Sequence, residues 1–232
     1  MTKDSLGNRM KSQYEDRTRY YLPRRTYSII RVDGKAFHGL KLEKPFDKLF
    51  MLAMQYTAQS LCAEIQGSKF AYVQSDEISL LMTDFEQIET EAWFDGNIQK
   101  IVSVSASTAS TNFNNQYGTS SCIFDSRVFT IPDPTEVENY FIWRQKDSTR
   151  NSIQMAARSV CSHKELNKKS STDLQEMLFQ KGINWNNYET NEKRGSVVKR
   201  GDDTHAWVID NEIPIFTQNR EYLRDMIPKY CH

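Results

Sequence analysis

Between residues 26 and 131, strand-like and helix-like segments follow one another in the order β-α-β-β-α-β. The strand-like segments are short and rich in β-branched or aromatic residues, whereas the helix-like segments carry apolar or small side chains at helical spacing. This order predicts an α+β fold built on a ferredoxin-type antiparallel sheet, with both helices on one face and the other face free. The predicted strands are residues 26–32, 70–75, 78–83 and 123–131, and the predicted helices are residues 46–66 and 97–117.

The segments on either side of this core have a different character. Residues 8–21 predict a polar surface helix that stops before Pro23. No low-complexity linker follows Pro134, so we expect a catalytic domain over residues 6–134 and a helical and hairpin region over residues 135–232 packed on it. The predicted elements of the second region are helices at 135–162 and 172–181, an Asn-rich loop at 182–194, and a hairpin that joins 196–200 to 205–209 around 201–203.

The charge balance limits the ways in which this chain can bind a polyanion. Thirty Lys and Arg residues balance thirty Asp and Glu residues, so any affinity for nucleic acid must come from local patches. Residues 17–25 and residues 193–200 each carry four cations and no acid. For either segment alone, a solvated surface and a phosphate-binding surface are equally consistent with the sequence.

Cysteine spacing and apolar content exclude further classes. The four cysteines (Cys62, Cys122, Cys161, Cys231) lie far apart and only four histidines are present, so neither a zinc site nor a disulfide framework is expected. The N-terminus lacks the apolar core of a signal peptide, and no apolar run approaches the roughly 20 residues that cross a bilayer. We therefore expect a reduced, cytoplasmic protein without a membrane segment.

Two of the predicted strand ends carry carboxylates. Asp33 follows the first strand, and Asp76 lies between the second and third. These strands are neighbours in the predicted sheet, so Asp33 and Asp76 can face each other across about one strand spacing, ~5 Å. Two carboxylates that close are stable as anions when a divalent cation lies between them, and oxygen ligands beside substrate phosphates favour Mg²⁺. Each motif alone is typical of a solvated turn, so on these residues both interpretations stay open.

The loop after Asp33 has the composition of an anion-binding turn. Gly34 permits close approach of a ligand to the backbone, and the amides of residues 35–38 can form an anion nest. A cation held by Asp33 and Asp76, with a polyphosphate along this loop, is the arrangement of two-metal nucleotidyl transfer. Cationic or polar donors around the loop are Lys35, His38, Lys41 and Lys44.

Four longer motifs extend these observations, namely RVDGKAFHGL (31–40), QSDEISLL (74–81), FDSRVFTIP (124–132) and YFIWRQKDSTRNS (140–152). In this order they resemble the tRNA-His guanylyltransferase family and its Thg1-like relatives, and the resemblance extends from residue 7 to about residue 188. The resemblance implies a polymerase-palm-like catalytic domain and a nucleotidyltransferase that adds nucleotides to the 5′ end of an RNA.

The same resemblance implies roles for particular residues. Asp33 and Asp76 would hold two Mg²⁺ ions together with the carbonyl of Gly34, and Glu77 would support them as a third catalytic residue. The implied partners are tRNA, ATP or GTP as substrates, and further copies of the chain in a homotetramer. The implied nucleotide-binding residues are Asp33, Gly34, Lys35, Ala36, Phe37, His38, Lys44, Ser75 and Asp76.

One segment departs from the family pattern. Guanylyltransferases that add G to tRNA-His carry His-Ile-Asn-Asn after the Trp-Arg-Gln motif, whereas this chain carries Thr149-Arg150-Asn151-Ser152. The departure favours the Thg1-like branch, in which template-dependent 3′-to-5′ addition repairs tRNA 5′ ends. Single-G addition to tRNA-His is the alternative, and a nucleotide-cyclase-like regulator is a candidate of another class. The residues predicted to contact tRNA are Arg19, Arg24, Arg150, Lys193, Arg194, Lys199 and Arg200.

Overall fold

A computed structural model describes residues 5–201 and 206–230. The strands are β1 (Tyr27–Gly34), β2 (Ser68–Gln74), β3 (Glu77–Met82), β4 (Phe124–Ile131), β5 (Ser196–Arg200) and β6 (Trp207–Asp210). The longer helices are α2 (Lys48–Glu64), α3 (Ile98–Tyr117), α4 (Pro134–Val160) and α6 (Ser171–Gln180). Short helices are α1 (Leu6–Met10), α5 (His163–Leu166), α7 (Thr190–Arg194) and α8 (Glu221–Arg224). The predicted N-terminal helix is present as α1, continued by a π-helix over Lys11–Glu15 and a 3-10 turn over Asp16–Thr18.

The six strands form one sheet in the order β4-β1-β3-β2-β5-β6, and every neighbouring pair is antiparallel. The α+β class and the β-α-β-β-α-β core are therefore confirmed. The C-terminal hairpin is also present, and β5 pairs with β2, so the hairpin extends the core sheet. Of the turn predicted at 201–203, residues 202 and 203 lie outside the described residues. The division at residue 134 stays a prediction, although a single sheet spans both parts.

The two faces of the sheet pack against different helices. Alternate residues of β1 separate them: Ile30 and Val32 pack against α2 and α3, whereas Tyr27 and Ile29 pack against α4 and the C-terminal segment. The expectation of a free second face was therefore wrong for the whole chain. Phe141, on α4, is fully buried against this second face. It shields the apolar strand residues of that face from water.

The hairpin between β2 and β3 turns one residue earlier than predicted. Gln74 pairs with Glu77, so Ser75 and Asp76 form the turn and Glu77 is the first residue of β3. Ser75 takes the positive φ of 47° that a tight turn demands, although no glycine is present. The shift places the Glu77 side chain inside the fold and leaves Asp76 at the tip.

Helix α4 is the longest element and starts with strong local signals. The side chain of Asp133 caps it by accepting from the amide of Glu136, and Pro134 occupies the first turn. Within the Asn-rich segment predicted as a loop, a 3-10 turn at Trp185–Asn187 and α7 are present. In the described part of the chain, no helix combines the length and apolarity needed to cross a membrane.

Candidate active site

The carboxylates predicted at the strand ends meet at one edge of the sheet. Asp33 is paired in register with Glu77 on β3 and with Asp125 on β4. The amide of Gly34 donates to the carbonyl oxygen of Asp76 at 2.9 Å, which holds the hairpin tip beside the end of β1. The negative charge of Asp33 also contributes to the pKa of Asp76, so their side chains are electrostatically coupled. The structure thus brings Asp33, Asp76 and Glu77 together.

Glu77 is enclosed by two arginines. The Arg144 guanidinium donates to both of its carboxylate oxygens, at 2.7 Å from Nε and 2.7 Å from the terminal nitrogen. Arg31 forms a second ion pair with Glu77 and also contacts a carboxylate oxygen of Asp33 at 3.2 Å. The hydroxyl of Ser79 donates to Glu77 at 3.2 Å. Arg31 thus joins Glu77 to Asp33.

Burial at this edge disfavours the ionised forms of Asp76 and Glu77. Burial raises the pKa of Asp76, and the nearby Asp33 raises it further. Burial also raises the pKa of Glu77, although Arg144 and Arg31 act in the opposite direction. Carboxylates held at raised pKa in a cleft are typical of sites that bind a cation or perform proton chemistry.

The oxygen donors at this edge fit a hard divalent cation. In residues 5–201 and 206–230 no three His, Cys, Asp or Glu side chains are grouped so as to hold a metal on their own. The available donors are the two carboxylates of Asp33 and Asp76 with adjoining main-chain carbonyls. Mg²⁺ usually takes one or two carboxylates and completes its shell with water and substrate phosphates, so this donor set suits it.

The loop after β1 is held by an aromatic cluster. The Phe37 ring is buried against Phe50, Phe113 and Phe124, with ring centroids 5.0 to 6.0 Å apart. A Cβ at Gly34 would lie 2.6 Å from this ring, so only glycine fits at that position. Phe37 therefore anchors the loop through its side chain and can offer a ligand only its backbone.

The rest of this loop bends back over the sheet edge. Ala36 has a positive φ of 60°, and the Lys35 amide donates to the carbonyl of Ile123 at 2.9 Å. Lys35 and Lys44 are exposed around the loop. The side chain of His38 lies outside what the structure describes. The roles of Lys35, His38 and Lys44 in binding a nucleotide stay predictions.

A cavity of about 90 Å³ opens beside the hairpin tip, between α2 and α4. The buried amide oxygen of Gln74 has no hydrogen-bond partner in the described structure, although Gln74 lines this cavity. Its other polar lining residues include Asp47, Ser75, Ser148, Asn151 and Ser152, together with Glu43 and Glu192, and its apolar walls include Phe46, Phe50, Met51, Met54 and Met155. A flat apolar molecule with polar edges fits such a lining.

Of the predicted tRNA contacts, four cations lie near carboxylates of their own chain, and one of them is Lys199, which pairs with Asp210 at 3.1 Å. Arg150, on α4, is exposed and pairs with Asp147. Arg19 pairs with Asp16 at 3.1 Å, and Arg24 pairs with Asp84 at 2.5 Å. Only Arg150 is joined through its partner to the carboxylate edge, because Asp147 also contacts Arg144 at 3.0 Å.

The four predicted C-terminal cations do not form a single patch. Lys199 and Arg200 occupy successive strand positions and lie on opposite faces, Lys199 over the Tyr222 ring and Arg200 over the Trp207 ring. Lys193 donates to the carbonyl of Asn186 and Arg194 to that of Ile213. Their proposed contact with tRNA stays a prediction.

Sequence reasoning missed the arginines that organise the carboxylate edge. Arg31 is the one charged residue among the apolar residues of β1 before Asp33, which is a signal that could have identified it. Arg144 lies in the Trp-Arg-Gln motif, but no local pattern shows that it reaches Glu77, 67 residues away. Asp125 was missed as well, because its register opposite Asp33 depends on the pairing of β4.

Comparison with known proteins identifies the family of this chain. The family model described as tRNAHis guanylyltransferase (Thg1) matches residues 7–132. The tRNA(His) guanylyltransferase of Debaryomyces hansenii is 30% identical over 220 residues, which span 82% of this chain and 81% of the relative.

Two solved structures of a bacterial Thg1-like protein are also similar. The complex with ATP has a TM-score of 0.91 at 40% identity, covering 97% of this chain and 99% of that one. The complex with GTP has a TM-score of 0.86 at 38% identity, covering 97% and 100%. The chain therefore belongs to the tRNA-His guanylyltransferase family and is a nucleotidyltransferase.

Proposed function

We propose that this protein adds nucleotides in the 3′-to-5′ direction to the 5′ end of tRNA, opposite a template base, and so repairs truncated 5′ ends. The observation that carries the proposal is the meeting of Asp33 and Asp76 at a sheet edge beside a cavity. The similar bacterial structures hold ATP and GTP, which supports nucleoside triphosphates as substrates.

In the proposed reaction the 3′-hydroxyl of an incoming nucleotide attacks the phosphorus of an activated RNA 5′ end. A new phosphodiester bond forms, and the bond to the leaving pyrophosphate, or to AMP if the end is adenylylated, breaks. Two Mg²⁺ ions, held by Asp33, Asp76 and the carbonyl of Gly34, would lower the pKa of the attacking hydroxyl and neutralise the leaving group.

The other residues position these groups. Arg144 and Arg31 fix the Glu77 carboxylate, and Arg31 also contacts Asp33, so the acidic edge is held in one arrangement before substrate binds. The triphosphate would lie along residues 33–38, with Ser75 donating a hydrogen bond and Lys35, His38 and Lys44 supplying positive charge. The nucleobase would enter the cavity between α2 and α4, where the apolar walls can stack on it.

The RNA would approach along α4. Arg150 is exposed at the end of a charge chain that runs through Asp147 and Arg144 to Glu77, which makes it the predicted tRNA contact nearest to the reaction. Arg19, Arg24, Lys193, Arg194, Lys199 and Arg200 are retained as further proposed contacts. A homotetramer and a cytoplasmic location are also retained as proposals from the sequence.

Labelled nucleotide incorporation into 5′-truncated tRNAs, with and without ATP, tests this function. We expect incorporation of the complement when the template base is changed among C, A, G and U. Addition of G whatever the template would favour the single-G activity that the names of relatives such as the Debaryomyces hansenii enzyme describe. Consumption of NTP to a cyclic nucleotide without RNA would instead indicate a cyclase-like enzyme.

A further inference from the structure

A second cavity, of about 250 Å³, lies where the C-terminal end of α4 meets α5 and the start of α6. It is separate from the cavity at the hairpin tip, and the two share no lining residue. Buried Leu174 contributes to its apolar floor. Its polar lining consists of Gln154, Arg158, His163, Asn167, Lys168 and Lys169.

The lining is strongly cationic for a chain that is neutral overall. Residues 158–169 carry four Lys and Arg residues and a single carboxylate, Glu165. That carboxylate accepts from the amide and hydroxyl of Ser162 and so caps α5. Asp173 caps α6 in the same way by accepting from Ser170, although its charge also acts on Lys169. The nearby acids thus cancel only part of the positive charge.

The cations of this cavity are exposed and form no ion pair within the described residues. Arg158 contacts the amide oxygen of Gln154 at 3.5 Å, and Lys168 and Lys169 lie within 4.0 Å of no carboxylate among the residues that the structure describes. The four C-terminal cations of residues 193–200 differ, because Lys199 pairs with Asp210 and Lys193 bonds to Asn186. Exposed cations that lack internal partners are the ones available to an external anion.

Helix α4 connects this cavity to the carboxylate edge. Arg150, Gln154 and Arg158 lie four residues apart, so they follow one another along the same side of the helix. Asp147, which belongs to the charge chain of the site, is 11 residues before Arg158, or about 16 Å along the helix at 1.5 Å per residue. A substrate that occupies both places must therefore be extended and negatively charged.

We infer that this cavity binds the phosphate backbone of an RNA stem whose 5′ end lies at Asp33 and Asp76. The inference rests on the proposed function for the direction of the stem. A free nucleotide is too short to touch both places, whereas a double-stranded RNA presents phosphates along its whole length and is recognised largely through them. Lys and Arg at such contacts position the duplex without reading its sequence.

The test compares Lys168→Ala/Lys169→Ala with a control that removes the same charge elsewhere, Lys11→Ala/Lys229→Ala. Binding of tRNA is measured over a range of salt concentrations. Each lost phosphate contact lowers the slope of log affinity against log salt by about 0.7 to 0.9 units. In the first variant we expect this slope to be smaller by between one and two units. We also expect it to bind tRNA about tenfold more weakly near 0.1 M salt. The control should match the wild type, and affinity for free ATP should be the same in all three proteins.

A short substrate separates this inference from the proposed function. A single-stranded trinucleotide with a 5′-triphosphate has no stem to lie along α4, so the wild type and the Lys168→Ala/Lys169→Ala variant should bind it equally. A wild type that binds tRNA with the expected salt difference but adds no nucleotide would overturn the proposed function and leave this inference standing. An unchanged slope in the variant would overturn the inference, as would an equal loss of trinucleotide binding. If the salt slope is reduced only in Lys199→Ala/Arg200→Ala, the RNA lies along the hairpin of β5 and β6, and the inference is overturned as well.

Discussion

Two buried glutamates, Glu77 and Glu138, each face two arginines, yet their pKa values are shifted in opposite directions. Burial raises the pKa of Glu77 more than Arg144 and Arg31 lower it. For Glu138, burial acts in the same direction, but hydrogen bonds from Arg224 and Arg220 outweigh it, and the pKa lies below its usual value. The same residue types therefore surround two carboxyl groups whose pKa values are shifted in opposite directions.

The difference follows from exposure and from neighbouring charge. The side chains of Arg144 and Arg31 are only 4% and 19% exposed, so the pair at Glu77 loses hydration on all sides, and Asp33 adds repulsion. The side chains of Arg220 and Arg224 are 40% and 59% exposed, so they keep much of their hydration while they hold Glu138. Buried ion pairs often stabilise little because desolvation offsets attraction. Glu77 is thus held at a desolvated edge beside Asp33, whereas Glu138 joins α8 to α4.

The largest expected effect concerns the carboxylates beside Glu77. Asp33→Ala and Asp76→Ala should each reduce nucleotide addition by about a hundredfold or more, because charge stabilisation of the transition state of this kind is worth roughly 3 kcal/mol. Single-turnover addition to a truncated tRNA measures the rate, and thermal unfolding shows that each variant is folded. Retention of more than about a tenth of the wild-type rate would contradict the metal assignment.

The comparison is tested directly by Glu77→Gln and Glu138→Gln. We expect Glu77→Gln to lower turnover at least tenfold, since the residue positions Arg31 and Asp33, a loss of about 1.4 kcal/mol or more. Glu138→Gln should leave turnover within about twofold, because its contacts lie with α8 and not with the carboxylate edge. Equal losses of turnover in the two variants would mean that Glu77 acts only on the fold.

Replacing one arginine in each cluster by lysine should have unequal effects on stability. Arg144 holds Glu77 through two bonds from a planar guanidinium, which lysine cannot reproduce, so Arg144→Lys should cost about 1–3 kcal/mol of unfolding free energy. The exposed Arg224→Lys should change it much less. Urea unfolding of both variants measures the difference, and a larger loss for Arg224→Lys would reverse our ranking of the clusters.

The smallest effect is the acid dependence of the Glu138 cluster. Because the folded pKa of Glu138 lies below the unfolded value of about 4.5, its ionised form stabilises the fold above that pH. This contribution is lost as the pH falls through the folded pKa. The Tm difference between wild type and Glu138→Gln should therefore be largest near neutral pH and shrink as the pH falls below about 4.5. A difference that grows on acidification would show that Glu138 is not held as an anion.

Much of the core fold follows from local patterns. The β-branched residues around Ile29, the small residues of α3 and the Asp133-Pro134 cap of α4 each specify an element by short-range sterics and hydrogen bonding, so their bounds were predicted to within a few residues. Which apolar residues of α2 are buried was harder to predict. Leu49, Leu52 and Tyr56 have helical spacing but are exposed, whereas Phe50, Met54 and Leu61 face the sheet. Apolar spacing shows that a helix forms, while the packing partner decides which side is buried.

By itself, the sequence determined the order of the elements, the neutral overall charge and the motifs that carry Asp33 and Asp76, because these depend on residue type and short-range spacing. Only the tertiary structure decided which charges meet. Arg144 reaches Glu77 because α4 covers the second face of the sheet, and Lys199 and Arg200 separate because successive strand residues point to opposite faces. The energy of a charge depends on the distance and hydration of its neighbours, and those are set by packing between residues far apart in the chain.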